Sequence, residues 1–288
     1  SNFAINQRVG PFTHTYSANN SFNGGFTVDR WMVDSFGSTA SNAIISQRSN
    51  SDVPSLLQYG RYSLRIQNNT SGTGSNWLKQ RIEGPIPEML GKPFTASIRC
   101  IKDPGDTATA SKTIGVECRV IYYPDGLVQP PFITTGFQTV IPWTSIGNVT
   151  TTSQVLSLSG TFPTLATIQG TFSSSGFVEV QFKFQGPTNG GSYAILAQQS
   201  QFTLTATVQD YFPASPAEDW LNCLRYYETT YADGNKEGSM NAGQTHAGVR
   251  VMSPNVYQTT HFFSVKKRVP PIIIIWHPDA LNTSGSGS

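Results

Sequence analysis

Charge is scarce in this chain. Asp, Glu, Lys and Arg make up 12% of its 288 residues, against roughly 25% in an ordinary soluble domain, and the net charge is only +2. The one basic cluster, Lys266-Lys267-Arg268, reads as a solvated strand end that discourages edge pairing. Nucleic-acid binding needs a basic stripe, so no nucleic-acid partner is expected. Cysteine is nearly absent. Cys100, Cys118 and Cys223 form an odd set without close spacing, which argues against a disulfide framework and a zinc site. Cys100 and Cys118 fall in alternating patterns and read as small hydrophobes, with a bridge between neighbouring strands as the alternative. His14, His246, His261 and His277 are scattered. A Gly-x-Ser-x-Gly elbow, a His-Glu-x-x-His motif and a phosphate-cradling glycine loop are all missing. Glu83, Glu88, Glu117 and Glu179 have no readable partner for paired-carboxylate chemistry, and Glu117 and Glu179 are expected on solvent faces. No catalytic residue is assigned and no enzyme is expected. Long hydrophobic runs are missing as well. Ile272 to Trp276 is one strand long, too short to cross a bilayer, and no signal-peptide pattern is visible. Membrane insertion is therefore not expected.

Ser, Thr, Asn, Gln and Gly fill the space that charge leaves, and short apolar alternations run between them. The run Phe26–Phe36 follows Gly24-Gly25 and reads as a first long strand with Trp31 as a core anchor. Further strands are expected over 43–47, 61–67, 77–83, 94–101, 113–123, 132–143, 149–158, 177–185 and 201–208. In 177–185, Val178, Val180, Phe182 and Phe184 alternate with Glu179, Gln181, Lys183 and Gln185. In 201–208, Phe202, Leu204, Ala206 and Val208 are expected inward. No helix is expected before residue 212. Ser215-Pro216-Ala217-Glu218 then combines a capping residue, a first-position proline and a capping-box glutamate. Trp220, Leu224, Tyr227 and Tyr231 recur at helical spacing until Asp233-Gly234. The expected class is mainly β: an antiparallel jelly-roll sandwich over 1–211, then a small α+β domain over 212–288 with one helix. Ser1 replaces an initiator methionine, as in a processed chain or a piece of a longer one, and Ser284 to Ser288 reads as a flexible Gly-Ser tail.

Ordered motifs carry a family resemblance. Asn6-Gln7-Arg8 and then Val28-Asp29-Arg30-Trp31 resemble the opening of bacteriophage tail-fibre and receptor-binding proteins with a carbohydrate-binding-module-like jelly roll. Gln80-Arg81-Ile82-Glu83 with Leu90-Gly91-Lys92, the segment Trp220 to Tyr227, and Phe263-Ser264-Val265-Lys266-Lys267-Arg268-Val269-Pro270-Pro271 follow in the same order. The last is similar to a Phe-x-Val-x-Met-Arg-x-x-Pro signature and departs from it at Lys267. The resemblance implies a non-enzymatic virion protein made in the host cytoplasm and displayed on a tail fibre or capsid surface. It further implies a homotrimer, contacts with other virion proteins, and host adsorption through surface polysaccharide. A capsid- or tail-decorating (cement) role is the alternative. No cofactor is implied beyond a structural calcium ion, and no acidic cluster marks ligands for one.

Jelly rolls of this kind hold sugars with aromatic and amide side chains. The glycan-binding candidates are Tyr122, Tyr123 and Asp125 at a loop edge, with Trp143 and Trp77; core or subunit-contact packing is the competing role for each aromatic. Tyr226, Tyr227 and Tyr231, with Ile272, Ile273, Ile274 and Ile275, are candidates for an oligomer interface, because a unit of this size has little interior in which to bury them.

Overall fold

The computed structural model describes residues 12–15, 25–26, 31–36, 42–59, 62–68, 75–83, 86–124, 137–168, 176–187, 191–211, 217, 221, 224, 249–253, 256–259, 263–266, 275–276 and 284–285. Two compact units divide the chain, one built on Gly10–Ala214 and the other on Ser215–Ser288.

The first unit is a sandwich of two antiparallel six-stranded sheets. Strands are numbered in chain order. One sheet runs β1 (Phe12–Thr15), β4 (Asn42–Ser49), β5 (Tyr62–Asn68), β12 (Tyr193–Thr203), β7 (Pro93–Lys102), β10 (Gln154–Thr161). The other runs β2 (Gly25–Phe26), β3 (Trp31–Phe36), β6 (Ser75–Glu83), β11 (Phe177–Gln185), β8 (Ile114–Tyr123), β9 (Gln138–Val149). From β5 onward the chain changes sheet at every connection except the β8–β9 hairpin, which is the jelly-roll manner of winding. Between the sheets lies one apolar core. Val178, Val180, Phe182 and Phe184 reach it from β11, and Phe94, Ala96, Ile98 and Cys100 from β7. Trp31 is fully buried in it.

Three expectations change. Phe26–Phe36 is not one strand: Phe26 pairs with Met32 and Gly25 with Val33, so the run doubles back as a hairpin. That pairing satisfies backbone groups that a single edge strand would leave open. Residues 201–208 do not form an alternating core strand. β12 ends at Thr203, and Leu204 and Val208 are 40% and 41% exposed. The strand proper starts at Tyr193-Ala194-Ile195-Leu196-Ala197, where all five residues are buried. It reads as a continuous apolar run because both of its faces are covered. One is covered by the core; on the other, Leu196 packs with Val53, Leu56 and Ile101. Single helical turns also precede residue 212: α1 (Pro54–Leu57), α2 (Ile86–Met89) and α3 (Thr107–Ala110). Four residues are too few to show a 3.6-residue period, and their local signals are a proline at the start of α1 and the Asp106 cap of α3.

Buried polar links brace the sandwich. Asn76 Nδ2 donates to the Tyr193 hydroxyl at 2.7 Å, which donates to the Phe184 carbonyl at 3.3 Å, joining the two sheets. Asp103, its side chain fully buried, accepts from Arg48, from Arg65 Nε at 2.5 Å and from the Gly105 N–H at 2.9 Å. Cys100 and Cys118 are buried and unbridged. They lie on strands of opposite sheets, and burial pushes both thiols far above the ordinary cysteine range.

In the second unit β13 (Val249–Ser253) and β14 (Val256–Thr259) form an antiparallel pair. β15 (Ile275–Trp276) pairs with β16 (Ser284–Gly285), so the Gly-Ser end begins as a strand rather than as a free tail. Ala217, Leu221 and Leu224 are helical. Tyr226, Tyr227, Tyr231 and Ile272 to Ile274 lie outside the described residues, and Ile275 is described only through its pairing in β15.

Candidate functional site

The alternation that sends Val178 to Phe184 inward sends Glu179, Gln181 and Lys183 to the outer face of the second sheet. Register then places side chains in rows across β6, β11, β8 and β9. Trp77, Lys183, Glu117 and Ser145 form one row. Lys79, Gln181 and Arg119 form the next. Arg81, Glu179, Ile121 and Thr139 follow, and Phe177 and Tyr123 close the series.

Each of the first three rows is stitched by a polar cross-strand contact. Lys183 Nζ meets Glu117 Oε2 at 2.9 Å. Arg119 Nε donates to Gln181 Oε1 at 2.6 Å. Arg81 Nε meets Glu179 Oε2 at 2.8 Å, and the Gln181 amide donates to the other Glu179 oxygen. The two ends of the face differ in access. Arg81 and Glu179 are buried, and so are Phe177 and Tyr123, whose rings stack at 4.6 Å. Trp77, Trp143, Arg119, Lys183 and Glu117 are half-buried, and Ser145 is exposed. Glu179 therefore does not see solvent, contrary to expectation, and Glu117 does so only in part. A carboxylate held by an arginine can lie on a sheet's outer face and still be buried.

A bulge delivers Trp143 to this face. Cys118 pairs with Thr144 and Val120 with Ile141, so Pro142 and Trp143 together oppose Arg119. Ile141 packs against the core, and plain alternation from it would send residue 143 inward; the extra residue turns Trp143 outward. β9 is an edge strand, where a proline costs no ladder hydrogen bond. The Trp143 ring lies 5.2 Å from that of Trp77. The Arg119 guanidinium sits 4.5 Å from the Trp143 centroid, 5.5 Å from that of Trp77 and 5.4 Å from that of Phe137. Lys183 Nζ is 5.4 Å from Trp143, and Lys79 Nζ is 5.2 Å from Trp77. These are cation–π distances. Burial pulls Arg119 below the ordinary arginine value, and the charges of Glu179 and Tyr123 push back.

Of the sequence candidates, Trp77 and Trp143 come together here. Tyr123 faces the same side at the buried end. Tyr122 does not belong to the site: it is fully buried between the sheets, edge-on to Phe162 at 6.1 Å. Asp125 lies outside the described residues. Glu117, Arg119, Gln181 and Lys183 were missed as site residues. Their signal was charge complementarity between 117–119 and 181–183, which becomes visible only once the β8–β11 register is known.

Among the described residues no group of three or more His, Cys, Asp or Glu side chains comes together. The fully buried Asp103 does not suit a calcium ion, because two arginines and an N–H already occupy its oxygens.

No protein-family model matches the chain, and no curated protein matches it. Solved structures with the sandwich fold do. Carbohydrate-binding modules of the β-sandwich superfamily align with 12% identity and a TM-score of 0.39, over 64% of this chain and 63% of that one. The C-terminal family 22 carbohydrate-binding module of a Clostridium thermocellum protein aligns at 14% identity and a TM-score of 0.34, over 67% of this chain and all of its own. A family 11 module from Clostridium thermocellum, solved with a β-1,3-1,4-mixed-linked tetrasaccharide, aligns at 8% and 0.34, over 70% of this chain.

Proposed function

We propose that the open end of the outer face is a non-catalytic glycan-binding site. The observation that carries this reading is the meeting of Trp77 and Trp143 at 5.2 Å, both half-buried, beside Glu117, Arg119, Lys183 and Ser145. A pyranose has an apolar C–H face and a polar rim. Flat indole surface serves the first and a few fixed polar groups serve the second. Glu117 and Glu179 each hold a cation, which favours binding over acid–base chemistry. Calorimetry against soluble polysaccharides tests the reading: binding should be present in the full chain and weakened about 10-fold or more in Trp77→Ala and Trp143→Ala, with circular dichroism unchanged.

The ordered motifs from Asn6-Gln7-Arg8 to Pro270-Pro271 support placing this glycan reader on a bacteriophage particle, as a homotrimeric tail-fibre component in host adsorption. Soluble protein should then block adsorption and scatter light as a trimer. Unaffected adsorption, with particles lacking the protein losing heat resistance, would instead assign it the decorating role.

A further inference from the structure

We propose that the site selects a carboxylate-bearing sugar, such as a uronic or sialic acid residue, and that Arg119 is the group that recognises it. This inference rests on the glycan-binding reading and adds the charge of the ligand to it.

Two carboxylates of this face are already engaged. Glu117 is taken by Lys183 and Glu179 by Arg81. Arg119 is matched differently. Among the described residues only its Nε is used, and its acceptor is the neutral amide oxygen of Gln181. No carboxylate among the described residues lies within ion-pair distance of it. Its terminal amino groups make no hydrogen bond among the described residues. It is half-buried, so part of its hydration is already lost, and the rings of Trp77, Trp143 and Phe137 surround it. Those rings hold the guanidinium in place without neutralising it.

A planar, pre-positioned guanidinium whose two amino groups are unengaged among the described residues matches a carboxylate through paired parallel hydrogen bonds. A neutral hydroxyl can fill one of them and leaves the charge unmet. The indoles beside Arg119 would carry the sugar ring while Arg119 takes the carboxylate. The Lys183–Glu117 pair at the same end is neutral in sum, so it does not repel an anion.

The test is calorimetry on the full chain with paired ligands. One pair is trigalacturonate and its carboxyl-reduced form; the other is sialyllactose and lactose. The acidic member should bind about 10-fold or more tightly than its neutral partner. Raising salt should narrow the gap. Arg119→Gln should abolish the preference, bringing the acidic member down to the affinity of its neutral partner. Arg119→Lys should retain part of it, because an ammonium cannot make the paired contact, and it carries the test if Arg119→Gln fails to fold. Equal binding of acidic and neutral members overturns this inference and leaves the glycan reading standing. An acid preference that survives Arg119→Gln overturns the role of Arg119. Binding of neither member of either pair, together with no binding in the polysaccharide survey above, overturns both.

Discussion

The indole rings of Trp77 and Trp143 meet at 5.2 Å although their strands are not neighbours. β11 and β8 lie between β6 and β9, a span of about 14 Å at ordinary strand spacing. Each side chain therefore leans inward across the sheet, and the cations of the intervening strands, Lys183 and Arg119, lie against the rings. An aromatic pair built over mixed charge is a surface with both stacking area and hydrogen-bonding groups.

Trp143 and Tyr122 should part company under mutation. Trp143→Ala removes one side of the indole pair and should cost about 1–3 kcal/mol of glycan affinity with little loss of stability. Tyr122→Ala empties a core position and should cost about 3–5 kcal/mol of folding stability. Urea unfolding beside calorimetry separates the two. A Tyr122→Ala protein as stable as the parent would contradict its placement between the sheets.

The Arg81–Glu179 pair should tolerate double replacement better than single. Both side chains are nearly inaccessible, so removing one leaves a buried charge without its counter-charge. Glu179→Ala should lower stability by about 3–5 kcal/mol, and Arg81→Met with Glu179→Leu should recover much of it. A double-mutant cycle in urea reads the coupling; additive losses would mean the two groups do not act as a pair.

Asp103 should give the fold an acid limb. Burial alone would raise its carboxyl, but the Arg65 hydrogen bond, the Gly105 N–H and the charges of Arg48 and Arg65 outweigh it and hold the value below the ordinary aspartate range. A lowered folded-state value stabilises the protein fully above the unfolded value, about pH 4. That contribution is lost as pH falls through the folded one. Asp103→Asn should therefore melt lower at pH 7 and lose less between about pH 5 and pH 2.5 than the parent. Parallel melting curves across that range would remove Asp103 as the cause.

Gly176 should tolerate no side chain. A Cβ there would sit 2.6 Å from the Tyr123 carbonyl oxygen and 2.6 Å from Tyr122 Cε2. Backbone cannot give way as a flexible side chain can, so Gly176→Ala should destabilise by about 1–3 kcal/mol or more. A thermal melt unchanged from the parent would show that β11 can shift at its start.

Much of the sandwich was legible in the chain. Period-two alternation determines which side of β11 enters the core, and Val178 to Phe184 go there. The same rule, carried through Val116, Cys118 and Val120, assigns Tyr122 to the core, where it lies, and not to the site. Three features were not legible. β12 shows no alternation because tertiary packing covers both its faces. Trp143 faces outward only because the pairing of β9 with β8 slips by one residue, and a slip belongs to two strands together, not to either sequence. The matching of Lys183 to Glu117, of Arg81 to Glu179 and of Arg119 to a neutral amide is likewise a property of register. Local residue order determines which way each strand faces; which strands lie beside one another is set by the shared core, and that choice assembles the site.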